Sequence, residues 1–134
     1  MLFDWLKNNK STIKTVWLDY NQLDDACMTS LGEYIQSNQS LAEVYVGNNH
    51  ITDKGIELLF PYIINNTSLK TLRLTENKDI TDVSVSVLIK MIETSHIDNI
   101  HIRVTSITQQ NALVVPLAHN ILKYQSAKMD LSYK

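Results

Sequence analysis

Only three glycines, two prolines and one cysteine occur in these 134 residues. With Cys27 alone, no disulfide framework can form within the chain, and a reducing compartment such as the cytoplasm is the expected setting. So few glycines leave no Gly-rich loop to cradle a phosphate. No basic run is present either: 12 Lys and Arg stand against 14 Asp and Glu, for a formal net charge of −2 and a pI near 6.0. Duplex-binding domains normally carry a basic stripe, so nucleic acid is not an expected partner. The longest apolar stretch, Ile56 to Ile64, is cut by Glu57 and Pro61 and falls far short of a membrane span. Met1 to Lys7 is interrupted by Asp4 and Lys7 and lacks the basic and long apolar regions of a signal peptide. The expectation is a single cytoplasmic domain, large enough to bury a real core, with no membrane partner.

What the chain does contain is a repeat. Ile13-x-x-Val16-x-Leu18-x-x-Asn21 is followed by Leu41-x-x-Val44-x-Val46-x-x-Asn49, by Leu69-x-x-Leu72-x-Leu74-x-x-Asn77 and by Ile97-x-x-Ile100-x-Ile102-x-x-Thr105. The starts at 13, 41, 69 and 97 are each 28 residues apart. A fixed period of this length signals stacked structural units. Each unit opens with period-2 alternation, as in Thr71-Leu72-Arg73-Leu74-Thr75, which predicts a short strand with one buried face. It continues with helical spacing: Met28, Leu31 and Ile35; Ile56, Leu59, Phe60, Ile63 and Ile64; Val85, Leu88, Ile89 and Ile92. Asp24, Thr52 or Asp53, and Thr81 or Asp82 stand where helix N-caps belong. Asn, Ser and Thr close each helix. Strands joined through helices run parallel. Strands about 4.8 Å apart and helices about 10 Å wide cannot stack flat, so the sheet lines a concave side.

These residues resemble the leucine-rich repeat proteins, whose signature is L-x-x-L-x-L-x-x-N/C-x-L, and within them the ribonuclease-inhibitor-like type. Asn49-His-Ile51-Thr-Asp-Lys-Gly55-Ile-Glu-Leu-Leu59 follows that type's extended pattern. Cys27, Ser84 and Asn111 hold the small or polar place of Gly55 in the other units. The resemblance implies an α/β leucine-rich repeat solenoid, a short right-handed horseshoe with the parallel sheet concave and the helices convex. The expected organisation is one domain over 1–134: a cap helix over 1–12, repeats from 13, 41, 69 and 97, and a terminal strand over 126–134. That strand would leave a free edge open to self-association. The unusual ends read either as caps or as the cut ends of a longer repeat protein. Pro61 stands inside a helical stripe, where it should break a hydrogen bond.

Asn21, Asn49 and Asn77 mark the turns, where an amide side chain can satisfy backbone groups that lack strand partners. The outward strand positions form rows 28 residues apart. Trp17, Tyr45, Arg73 and His101 make the central row. Glu43 lies in one flanking row, Asp19 and Arg103 in the other, and Tyr20, Asn48 and Glu76 follow the strands. Trp, Tyr and Arg dominate binding hot spots, so these ten residues are the candidate partner-binding set. The bland alternative is that aromatics simply suit strands. About sixteen outward side chains fall below the roughly 20–30 residues of a standard interface, so a modest complex is expected.

Catalysis finds little support. His50, His96, His101 and His119 share no metal-ligand spacing with one another, with Cys27 or with a carboxylate. No metal, cofactor or catalytic residue is expected, and Cys27 reads as a buried thiol. The function expected is a protein–protein interaction module. One alternative is a filament-capping or scaffold protein, because Gly55 to Leu69 is similar to the actin-capping domains of tropomodulins. Another is a regulatory subunit or inhibitor of an enzyme, since some proteins with similar repeats act on small GTPases or sequester nucleases.

Overall fold

In a computed structural model of the chain, the backbone is described over residues 12–132 and the side chains over residues 12–123. The expected cap helix over 1–12 therefore lies almost wholly outside the described residues. Strands β1 (Thr15–Trp17), β2 (Glu43–Tyr45), β3 (Thr71–Arg73) and β4 (Asn99–His101) alternate with helices α1 (Ala26–Ser37), α2 (Asp53–Ile63), α3 (Val85–Thr94) and α4 (Val114–Ser132). Short 3₁₀ turns over Asp82–Ser84 and Gln110–Leu113 lead into α3 and α4.

The strands form one parallel sheet in chain order. Val16 faces Val44, Val44 faces Leu72, and Leu72 faces Ile100. Every pair is separated by the sequence period, so like residues sit side by side and pack as continuous ridges. Leu41, Leu69 and Ile97 form one buried row; Val44, Leu72 and Ile100 a second; Val46, Leu74 and Ile102 a third. Against them pack Met28, Leu31 and Ile35, then Ile56, Leu59 and Ile63, then Leu88, Met91 and Ile92. Each such side chain contributes about 2 kcal/mol of hydrophobic burial. No single repeat could hide this face alone.

Each rung leaves the sheet through a left-handed residue, none of them glycine: Tyr20 (φ 62°), Asn48 (49°), Glu76 (63°) and Val104 (59°). Each costs about 1 kcal/mol of backbone strain. The kink aims the following residue back beneath the turn. There the Asn49 Nδ2 donates to Leu18 O (3.0 Å), Val46 O (2.9 Å) and Gly47 O (3.0 Å). Its Oδ1 accepts from the amides of Asn21 (3.0 Å) and Leu23 (2.9 Å). Asn77 repeats the arrangement, donating to Val46 O and Leu74 O and accepting from Ile51 N. Both amides thus link one rung to the rung before it.

Asn21 departs from its expected role. It is exposed, and its Nδ2 donates only to Asp19 O (3.0 Å). The ladder reaches backward, and among the described residues no rung precedes it. Thr105, in the last unit, keeps a local version through Oγ1, which donates to Ile102 O at 2.7 Å.

A second ladder runs along the helix starts. Asp25 accepts from Thr52 N (2.8 Å) and Thr52 Oγ1 (2.6 Å). Asp53 accepts from Thr81 N (2.8 Å), Thr81 Oγ1 (2.6 Å) and Ser84 Oγ (2.5 Å). Asp82 accepts from Thr108 N, Thr108 Oγ1 and Gln109 N. These aspartates therefore reach forward to the next rung, while Thr52 and Thr81 cap α2 and the turn before α3 and Asp24 accepts from Cys27 N at the start of α1. Cys27 itself is half-buried, with its Sγ 3.5 Å from Asp24 Oδ1, rather than the buried thiol expected.

The Asp53 carboxyl titrates below the ordinary carboxylate range. Burial pushes it up, but the hydrogen bonds from Ser84, the Thr81 hydroxyl and the Thr81 amide together outweigh that. A folded-state value lower than the unfolded one means stability that is present above about pH 4 and lost as pH falls through the folded value. An Asp53→Asn variant is accordingly expected to show a flatter acid limb in its stability-versus-pH curve. Equal acid sensitivity in variant and wild type would contradict this.

The C-terminal expectation is overturned. Residues 126–132 continue α4 instead of forming a terminal strand. Between Leu122 and Ser132 the chain has no Asn, Gly or Pro of the kind that stops α1 and α2, so nothing ends the helix. Among the described residues the edge strands of the sheet are β1 and β4. Val114, Ala118, Ile121 and Leu122 are exposed, while Leu113, just before α4, and Asn120 are buried. The Asn120 Nδ2 donates to Ile97 O, filling the place that the Ser40 hydroxyl takes at Ile13 O. Pro61 occupies the last turn of α2 on its exposed side. Its missing bond to Glu57 O falls on the exposed face of the helix, which explains why it is tolerated.

Candidate functional site

Alternation decides which side chains leave the core. With Val16, Val44, Leu72 and Ile100 pointing inward, their neighbours point outward, and register places Trp17, Tyr45, Arg73 and His101 on adjoining strands. Trp17 is 66% exposed and Tyr20 73% exposed. The Trp17 and Tyr45 rings lie 4.8 Å apart, tilted by 52°, an arrangement favoured between aromatic quadrupoles. Arg73 Cζ lies 5.8 Å from the Tyr45 ring centre, within cation–π range. One stack of π and cationic groups therefore crosses three strands.

Asp19 ties this stack together. Its side chain is only 9% exposed. It accepts from Trp17 Nε1 (2.8 Å) and from Gly47 N (2.5 Å), and Arg73 Nη1 lies 3.9 Å away. Gly47 is what admits it: a Cβ there would stand 3.0 Å from Asp19 Oδ1 and 2.8 Å from Thr75 Oγ1. Thr75 Oγ1 in turn accepts from Arg73 Nε at 3.3 Å. Around this centre Tyr45 donates its hydroxyl to Glu43, and Asn48 donates to Glu76 Oε2 at 2.8 Å. Fixed side chains lose little freedom on binding, so such preorganisation lowers the cost of association.

Of the ten candidate residues, the structure joins Trp17, Asp19, Tyr45, Glu43 and Arg73 into one group and pairs Asn48 with Glu76. Tyr20, His101 and Arg103 stand apart and exposed. Gly47 and Thr75 were not in the candidate set. Their signal lay in the row they share with Asp19, in which a glycine beside an acid marks space left for it. Elsewhere, a cleft of about 520 Å³ is lined by Ile92 and Glu93 of α3 and Val115, Pro116 and His119 of α4. Among the described residues no group of three or more His, Cys, Asp or Glu could hold a metal ion, and no helix is long and apolar enough to cross a membrane.

Parallel rungs in register, an asparagine ladder beneath each turn and helices behind the sheet define a leucine-rich repeat solenoid, the fold of the leucine-rich repeat proteins. The family's sequence model, described as "Leucine Rich repeat", matches residues 37–60 and 65–88. Among solved structures, "Leiomodin-1 Actin-Binding Site 2 (ABS2)" shares the fold with a TM-score of 0.82 at 18% identity, over 98% of this chain and 76% of that one. The mouse "NACHT, LRR and PYD domains-containing protein 3" is 26% identical over 129 residues, 93% of this chain. The chain spans only 12% of that relative's length.

Proposed function

We propose that this chain is a protein-binding module whose partner docks on the concave sheet, on the stack formed by Trp17, Tyr45 and Arg73. The observation that carries this reading is a large aromatic ring, 66% exposed, held in one orientation by Asp19 and Tyr45. Strand packing alone gives no reason to fix a Trp in water, whereas hot-spot residues are characteristically ordered Trp, Tyr and Arg side chains. Leucine-rich repeat domains serve as protein-interaction modules, which agrees with the reading. The binding residues are the set expected above, centred on Asp19 and its neighbours.

Affinity capture followed by mass spectrometry, run in parallel on wild type and a Trp17→Ala/Arg73→Ala variant, tests it. Proteins retained by the wild type should be lost by the variant, at unchanged circular dichroism. Identical retention would reject the concave assignment. A second reading draws on the likeness to the leiomodin fragment, which is named for an actin-binding site. In that reading the chain contacts a filament through its ends or outer helices. Cosedimentation with actin filaments, unaffected by the double variant, would favour it.

A further inference from the structure

The concave face is unevenly satisfied. On β1 to β3 its polar groups engage one another: Trp17 with Asp19, Tyr45 with Glu43, Arg73 with Thr75 and Asp19, and Asn48 with Glu76. On the β4 side His101 and Arg103 are exposed, and among the described residues neither side chain has a hydrogen bond or ion pair. Charge is uneven in the same direction. The outward rows give Asp19 and Glu43 on the first two rungs, Arg73 against Glu76 on the third, and Arg103 with His101 on the fourth. The carboxylate nearest in sequence, Asp98, precedes β4 in the row of Lys14, Ala42 and Lys70, off the outward rows.

We infer that the segment this face takes is acidic and apolar in a fixed order: a carboxylate on His101 and Arg103, and an aromatic or large aliphatic side chain on Trp17 and Tyr20. The inference rests on the concave docking proposed above and adds the chemistry of the partner. The donors left open on β4 call for an acceptor. Arg in particular binds a carboxylate through two parallel hydrogen bonds. The acids at the β1 end repel a second carboxylate there and so set the direction of the segment. Three strand spacings separate the two ends, about 14 Å. An extended chain covers that span in about four residues, at about 3.3 Å each.

Selection of a phage-displayed random peptide library on the intact chain tests this. Enriched peptides are expected to carry Asp or Glu about four residues from Trp, Phe, Tyr or Leu. Arg103→Glu should weaken their binding about tenfold or more, and a Lys placed at the peptide's acidic position should restore it. Recovery of peptides without carboxylates, or of no binders, overturns the acidic assignment. If such non-acidic peptides still lose binding to Trp17→Ala, the concave reading survives alone. Peptides indifferent to both Trp17→Ala and Arg103→Glu would overturn both.

Discussion

An Asn49→Ala variant should lose about 3 kcal/mol of stability, visible as a lower urea midpoint by circular dichroism. Five hydrogen bonds disappear with the amide, but their loss is unequal. Val46 O keeps its bond from Asn77 Nδ2, and Gly47 O keeps its bond from Tyr20 N. The amides of Asn21 and Leu23 and the carbonyl of Leu18 lose their side-chain partner altogether. Each unsatisfied group costs about 1–3 kcal/mol when buried, and less here because the first turn is only partly buried and water can enter. Asn21→Ala, by contrast, removes one exposed bond and should change stability by no more than about 0.5 kcal/mol. Equal effects at the two positions would disprove the ladder as the reason for asparagine.

Gly55→Ala is the second large effect. Gly55 does not have positive φ, so the backbone itself would accept alanine, and helix propensity alone would favour the change by about 1 kcal/mol. The obstacle is the neighbouring rung. A Cβ at this position would fall on Asp25 Oδ1 and lie 2.9 Å from Ile51 Cγ2. Asp25 cannot simply swing away, because its two oxygens accept from Thr52 N and Thr52 Oγ1. Overpacking of this kind costs about 1–3 kcal/mol, to which the displaced bonds add, for a net loss of about 2 kcal/mol. The decisive measurement is a double-mutant cycle. In an Asp25→Ala background the alanine at 55 should cost markedly less, with only the contact to Ile51 Cγ2 left to relieve. A loss of the same size in both backgrounds would show that Asp25 is not the cause.

The fold could be read from the sequence because stacking forces equivalent residues into equivalent surroundings. Leu41, Leu69 and Ile97 recur in phase since each occupies the same slot of the same ridge. Bonds between rungs were harder to see. Asp25 and Asp53 stand where helix caps usually stand, and only coordinates reveal that their oxygens serve Thr52 and Thr81, 27 and 28 residues on. Asn120 left a faint trace: a polar residue at helical spacing from Leu113 and Leu117. The terminal strand failed because Met129 and Leu131 alternate as a strand would, while the absence of a stop signal after Leu122 outweighs two residues of pattern. Within the site, the rows were legible from alternation. The gathering of Trp17, Gly47 and Arg73 around Asp19 was not, since side-chain torsions leave no periodic mark.

Both hydrogen-bonded ladders join a rung only to its immediate neighbour. A segment of one whole period, duplicated and inserted between two existing rungs, would find every donor and acceptor it requires already waiting on either side. Length in such a molecule is an adjustable quantity. Gene duplication can lengthen the chain without a new core having to be invented, and each added copy would widen the recognition surface by one side chain in every row.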